Sequence, residues 1–304
     1  MNTKHSDNPV MKWSFTKMHG AGNDFVVFDG LSQVIEMTPV RARAIAHRHF
    51  GVGCDQILIV DAPTDPNADF RYRIFNSDGS EVEHCGNGAR CFVRFVHQRK
   101  LSSRNPIRAE IATGLITLTE LENGLVQVDM GQTRFAPSDL PFDATGLETR
   151  VVGQDTQYAL HLDGSDTPVW LSLVAISNPH AVQVVADVSQ APVARIGAAI
   201  ESHARFAKRV NAGFMQVIDE HNIRLRVYER GAGETLACGT GACAAVASGI
   251  RQGLLQSPVS VQTRGGELTI AWDGLTLQMT GPATTVFEGQ LDIDDLVRAI
   301  PTFE

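Results

Sequence analysis

Two short stretches hold the residues best suited to chemistry: Cys85 in HCGNGARC and Cys238 in ACGTGACA. In each, the cysteine is followed by Gly-x-Gly-Ala and then by an apolar, small-residue run. That pattern predicts the start of a helix, whose first N–H groups are unpaired and carry partial positive charge. Glycines allow a ligand close to such a backbone, and a carboxylate or phosphate suits it. A thiol at this point is expected to have its pKa lowered from about 8.5 towards neutrality. Each cysteine is therefore a candidate reactive group beside an anion cradle.

Cys238 lies 153 residues after Cys85, and the same offset superposes more than the two cysteines. FRYRIFN falls on IRLRVYE, pairing Arg71 with Arg224, Arg73 with Arg226 and Phe75 with Tyr228, and Glu81 falls on Glu234. Both segments alternate as a strand with one buried face does. Each then enters a Gly-rich turn, a helix with an apolar face and a further strand, GLITLTEL or GELTIAW. The offset is about half of the 304 residues, so the repeat spans the chain and predicts two similar domains rather than a solenoid. Other segments, such as DFVVFDG, DQILIVDA, VWLSLVAIS and HAVQVVADV, read as strands, and TPVRARAIAHRHF and ARIGAAIESHARF as helices. The expected class is α+β: two pseudo-symmetric domains, each a barrel-like, mainly antiparallel sheet wrapped around a central helix.

Two duplicated domains are expected to hold a ligand where they face each other. With one helix start from each, a carboxylate could take N–H bonds from both, with the thiols on opposite faces of the adjoining carbon. One would remove a proton and the other return one, which inverts the stereocentre. Fixed N–H donors would stabilise charge pushed onto the carboxylate. A pyridoxal-phosphate racemase needs a Schiff-base lysine. The five lysines, Lys4, Lys12, Lys17, Lys100 and Lys208, include none in a phosphate-binding context, so a cofactor-free reaction fits better.

Bulk properties are those of an ordinary globular protein, with 43% hydrophobic and 20% charged residues and net charge −8. The absence of a basic block argues against nucleic-acid binding, and the lack of a long apolar run argues against a membrane span. No export signal opens the chain, so a reducing, cytoplasmic location is expected and the five cysteines read as thiols. Their C-x5-C and C-x4-C spacings do not suit structural zinc, and no metal is expected.

The segments MHGAGNDFVVFDG, GCDQILIV, RIFNSDGSEVEHCGNGARC, ISNPHAV, RVNAGF and VYERGAGETLACGTGACA together resemble the diaminopimelate epimerase family, in order, from about Lys17 onward. The resemblance implies cofactor-independent interconversion of LL- and meso-diaminopimelate by two cysteines, in lysine and peptidoglycan-precursor synthesis, by a typical homodimer. It implies that Cys85 and Cys238 are the base/acid pair. It also implies that Gly86, Asn87, Gly239 and Thr240 bind the reacting carboxylate, with Asn23 and Gln56 near that end. Asn76, Asn178, Asn211, Glu229 and Arg230 would hold the distal amino-acid end. An acid beside a base suits that end's ammonium and carboxylate, and Arg grips a carboxylate with two prongs.

The resemblance sends the last strand back to the first domain. The expected division is a tail over 1–12, an N-terminal domain over 13–131 plus 286–304, and a C-terminal domain over 132–285. His180 reads as a structural histidine, with tuning of a cysteine or a substrate contact as the alternative. His84 has Ala237 as its counterpart and reads as peripheral. Cys91 and Cys243 read as small buried apolar residues, and Cys54 as a departure from the family pattern. Competing readings are a proline or hydroxyproline racemase, a phenazine-type isomerase, a thiol redox or metal-binding protein, and a non-catalytic amino-acid-binding protein. The second cysteine argues against the phenazine type, and the Glu229–Arg230 pair against a proline substrate, which has no distal amino-acid end.

Overall fold

The structure is a computed structural model and describes residues 12–82 and 85–300. The chain divides into two compact units. Unit 1 comprises the segment ending at Gly20, Asp24–Thr117 and the segment from Ala283 onward; unit 2 comprises Ala21–Asn23 and Leu118–Pro282. The chain thus leaves unit 1 briefly at the Ala21–Asn23 turn, and again after Thr117.

The first half runs β1 (Lys12–Gly20), β2 (Asn23–Asp29), α1 (Pro39–Ala46), β3 (Gln56–Asp61), β4 (Phe70–Asn76), β5 (Glu81–Val82), α2 (Gly86–Gln98), β6 (Ile107–Ile111) and β7 (Gly114–Glu120). There follow β8 (Val126–Gln132), β9 (Thr149–Val152), β10 (Asp155–Leu160), β11 (Val169–Ala175), β12 (Pro179–Val184), α3 (Val193–Glu201), β13 (Asn211–Asp219), β14 (Asn222–Glu229) and β15 (Gly233–Glu234). The chain continues through α4 (Gly239–Arg251), β16 (Val259–Thr263), β17 (Gly266–Trp272), β18 (Thr276–Gly281), β19 (Thr284–Asp292) and α5 (Ile293–Ala299).

The repeat expected from the sequence is present as topology. β2 pairs parallel with β3 across α1, and β12 pairs parallel with β13 across α3. β4 pairs parallel with β6 across α2, and β14 pairs parallel with β16 across α4. The pairs β1–β19, β3–β4, β10–β11, β13–β14 and β16–β17 are antiparallel, so each half is a mixed sheet. The Arg73–Glu81 ion pair, at 3.0 Å, recurs as Arg226–Glu234 at 2.6 Å, each closing the hairpin before its helix.

The two helices after the cysteines are buried along most of their length, as a central helix must be. In α2 this includes Phe92, Phe95 and even Arg90; in α4 it is the small residues Ala242 to Gly249. Cys91 and Cys243 are completely buried, as the sequence suggested. A second helix lies outside each sheet. α1 and α5 join Trp13, Phe28, Ile57 and Leu291 in one core cluster, while the α3 residues Val193 and Ile200 join Leu171, Phe206 and Phe214 in another.

The division differs from the expected boundaries for physical reasons. β8, assigned to the first domain by the sequence reading, pairs with β18 from Gln132↔Thr276 to Val126↔Gly281, which places 118–131 in unit 2. The segment returning to unit 1 begins at Ala283 rather than 286. Lys12, placed in the tail, opens β1; the rest of the expected tail lies outside the described residues, as does His84. β1 and β13 escaped the sequence reading because burial breaks their alternation: Thr16 and Lys17 are buried together in β1, and Asn211 to Met215 form an unbroken buried run in β13. α5 was likewise not foreseen.

Candidate functional site

In unit 1, Cys85 is the N-cap of α2, with extended backbone (φ −141°, ψ 111°) and its sulfur accepting from the Gly88 N–H at 3.4 Å. In unit 2, Cys238 is the N-cap of α4 (φ −116°, ψ 111°), and its sulfur accepts from the Gly241 N–H at 3.4 Å. A thiol here takes the place usually held by a Ser, Thr or Asp side chain. Gly86–Asn87 and Gly239–Thr240 form the first turns that follow.

The second glycine of each motif is required by packing. A Cβ at Gly88 would lie 2.2 Å from the Tyr72 hydroxyl, and one at Gly241 would lie 2.9 Å from Val227. Tyr72 lies on β4 and Val227 on β14. The close approach of strand to helix therefore selects glycine there, independently of any ligand.

The surroundings of the two sulfurs differ. Tyr72 is buried and donates from its hydroxyl to the Cys85 carbonyl at 3.2 Å; on the 153 offset its counterpart is Leu225. Arg90 is fully buried and donates to the Asn87 side chain at 3.0 Å; its counterpart is Cys243. Around Cys238 the distinctive group is instead Glu229. Its carboxylate hydrogen-bonds the thiol and also accepts from the Thr235 hydroxyl. The Thr240 hydroxyl lies 3.6 Å from the Cys238 sulfur.

The expected lowering of both thiol pKa values does not hold for Cys238. Burial pushes this thiol well above its ordinary value, and the Glu229 charge pushes it further, against the Thr240 and Gly241 donors that favour the thiolate. Cys54 and Cys91 are pushed up to about 12, chiefly by burial, so neither is poised to react.

The candidate substrate residues fall at equivalent places in the two sheets. Gln56 opens β3 and donates from its side-chain amide to Asn76, the last residue of β4, at 2.9 Å. Asn76 donates in turn to the Ser80 hydroxyl at 3.1 Å. In unit 2, Asn211 opens β13 and Glu229 ends β14. Asn211 accepts from the Arg230 N–H at 2.9 Å and donates to the Pro179 carbonyl at 2.9 Å. Asn178 sits beside that proline and lies 2.8 Å from His180 Nε2. Unit 2 thus collects Asn178, Asn211, Glu229, Arg230, Gly239, Thr240 and Cys238. Gln56, Asn76, Gly86, Asn87 and Cys85 belong to unit 1, and Asn23 is grouped with unit 2.

His180 is buried, and desolvation together with the Arg230 charge holds its pKa down to about 3. It is a neutral imidazole at physiological pH. Sequence reasoning missed Tyr72, Arg90, Thr235 and Ser80. A signal existed only for Tyr72, as an inward residue of the alternating FRYRIFN strand.

A family model described as diaminopimelate epimerase matches residues 15–136 and 172–286. A diaminopimelate epimerase of Cupriavidus necator is 62% identical over 285 residues, covering 93% of this chain and 98% of that protein. One of Ralstonia pickettii is 62% identical over 288 residues, covering 94% and 98%. Among solved structures, a phenazine biosynthesis protein of the PhzF family from Bacillus anthracis aligns with TM-score 0.66 at 15% identity, over 92% of this chain and 99% of that one. A hydroxyproline epimerase from Agrobacterium vitis aligns with TM-score 0.64 at 15% identity, over 93% of each. At such identities the structural likeness concerns the fold.

Proposed function

Since this chain belongs to the diaminopimelate epimerase family and is an amino-acid epimerase, we propose that it inverts one α-carbon of LL-2,6-diaminopimelate with Cys85 and Cys238 as the proton-transferring pair. The observation that carries this reading is the recurrence of one device: a cysteine N-cap over a Gly-x-Gly-Ala helix start, at equivalent positions in two sheets of the same topology.

Cys238 enters the cycle as a thiol, supported by its burial and its bond to Glu229. Cys85, as thiolate, accepts the α-proton. The electron pair left on carbon delocalises into the substrate carboxylate, which the N–H groups of Gly86–Asn87 and Gly239–Thr240 stabilise. Cys238 then delivers its proton to the opposite face, leaving Cys85 as thiol and Cys238 as thiolate, the pair the reverse reaction needs. Every proton moves between carbon and sulfur, so no step calls on a cofactor.

Asn23 and Gln56 contact the reacting end; Asn76, Asn178, Asn211, Glu229 and Arg230 hold the distal end. Holding that end admits one stereocentre to the thiols and rejects amino acids with a single end, whose absence of partners would leave buried polar groups unpaired. Glu229 then has two duties, since it also contacts the Cys238 thiol. His180 acts as a neutral hydrogen-bonding support of Asn178. A cytoplasmic homodimer serving lysine and peptidoglycan-precursor synthesis completes the proposal; among the described residues no helix is long and apolar enough to cross a membrane.

Incubation with LL-diaminopimelate in deuterated water, under reducing conditions and without added cofactor, tests the reading. Deuterium should enter the inverted carbon as meso product accumulates. Absence of exchange would remove the proposal.

A further inference from the structure

Glu201 is a buried acid that the proposed chemistry does not use. It is the last residue of α3 and only 5% exposed, although acidic side chains are rarely buried without partners. A carboxylate at a helix C-terminus also opposes the helix dipole. Two specific contacts offset these costs. Glu201 Oε1 accepts from the Gly231 N–H at 3.0 Å and from the Arg209 guanidinium at 3.2 Å. The Glu201 carbonyl accepts from the Val210 N–H at 3.3 Å.

These contacts bracket the residues assigned to the distal end. Arg209 and Val210 immediately precede Asn211, and Gly231 immediately follows Glu229–Arg230. Arg209 adopts a left-handed backbone (φ 57°), a conformation that a bulky residue keeps only when its surroundings hold it. Gly231 is left-handed as well (φ 74°). One carboxylate therefore pins both turns, and Asn211 and Arg230, which are hydrogen-bonded to each other, lie between the pins.

Unit 1 has an analogous clasp with its charges reversed. Arg48 lies two residues beyond the end of α1. Arg48 donates to both Asp24 oxygens, at 3.1 and 2.9 Å, and to Asp55 at 2.5 Å. Asp24 follows Asn23, and Asp55 precedes Gln56. Burial opposes ionisation of Asp24, yet Arg48 and Lys17 hold its pKa down to about 2. In both units a charge just beyond or at the end of the outer helix fixes the strand start that carries a candidate substrate contact.

We propose that Glu201 is a positioning residue that fixes Asn211 and Arg230 for the distal amino-acid end, and so sets the preference for a substrate with two such ends without taking part in proton transfer. This rests on the proposed function of the same residues. The test compares the full-length wild type with Glu201→Ala, Glu201→Gln and Arg209→Gln. It measures kcat and KM for LL-diaminopimelate, and the inhibition constant of 2-aminoheptanoate, which lacks both distal groups.

Loss of a buried acceptor should raise KM in Glu201→Ala about tenfold or more. Its kcat should stay within about threefold, and its inhibition constant should rise much less than KM. Glu201→Gln, which can still accept from Gly231, and Arg209→Gln should fall between it and the wild type; they decide the matter if Glu201→Ala does not fold. A fall in kcat at unchanged KM, an equal loss for substrate and inhibitor, or no change in any folded variant would overturn the inference. A wild type inactive on diaminopimelate would instead remove the proposed function, and this inference with it.

Discussion

The two helix starts share a backbone but not an environment. At Cys85 and at Cys238 the N-cap dihedrals, the sulfur acceptor geometry and the second glycine nearly coincide. Below Cys85 lie a tyrosine hydroxyl and a buried arginine; beside Cys238 lies a glutamate. Duplication has preserved the cradle, while the side chains behind it have diverged. Helix position alone thus does not set a thiol's acidity: at Cys238, desolvation and one neighbouring charge outweigh the helix start.

The comparison is broken most directly by removing the sulfurs. Cys85→Ser and Cys238→Ser should each lower kcat/KM by about 10²–10⁴, the range for a positioned acid or base. A single variant that kept full activity would show the two sites to be unequal in need, not only in setting. In the Cys85→Ser background, Glu229→Gln should lower the Cys238 pKa, because it removes a negative charge that disfavours the thiolate. The pH profile of alkylation should move to lower pH yet stay above the ordinary thiol value, since burial remains.

His180 gives a folding readout confined to unit 2. Its pKa of about 3, against 6.5 for an exposed histidine, means that the unfolded chain binds a proton that the native state excludes. Its contribution is complete above about pH 6.5 and is lost progressively as pH falls towards 3. The slope is about 1.4 kcal/mol per pH unit for one proton. His180→Gln should flatten the pH dependence of urea unfolding across that window; an unchanged slope would refute the assignment. The smallest expected effect is that of Tyr72→Phe in unit 1, about 1 kcal/mol from one buried hydrogen bond, read by thermal unfolding.

The repeat was legible because it is local: strand, turn, cysteine and helix recur within a few dozen residues at one offset. The same offset concealed another equivalence. Cys85/Cys238 and Asn76/Glu229 lie 153 apart, but Asn23/Asn178 and Gln56/Asn211 lie 155 apart. The near and distal sets implied by the family resemblance cut across this equivalence: the topology gives three matching positions at strand ends and one matching helix N-cap. Thr235, Arg90 and Glu201 left no trace in periodicity. Their roles arise from contacts between turns and from burial, which a linear pattern does not record. Glycine is the converse case: Gly88 and Gly241 were conspicuous, but a neighbouring strand supplies a reason for them that has nothing to do with ligands.

The pairing of β1 with β19, from Lys12↔Asp292 to His19↔Thr284, bears on how the protein is made. β18, which pairs with β8 in unit 2, leaves the ribosome only a few residues ahead of β19. Unit 1, although translated first, keeps one edge of β1 unpaired until residues 284–292 emerge, so the half that is begun earliest still waits for the last strand to be made.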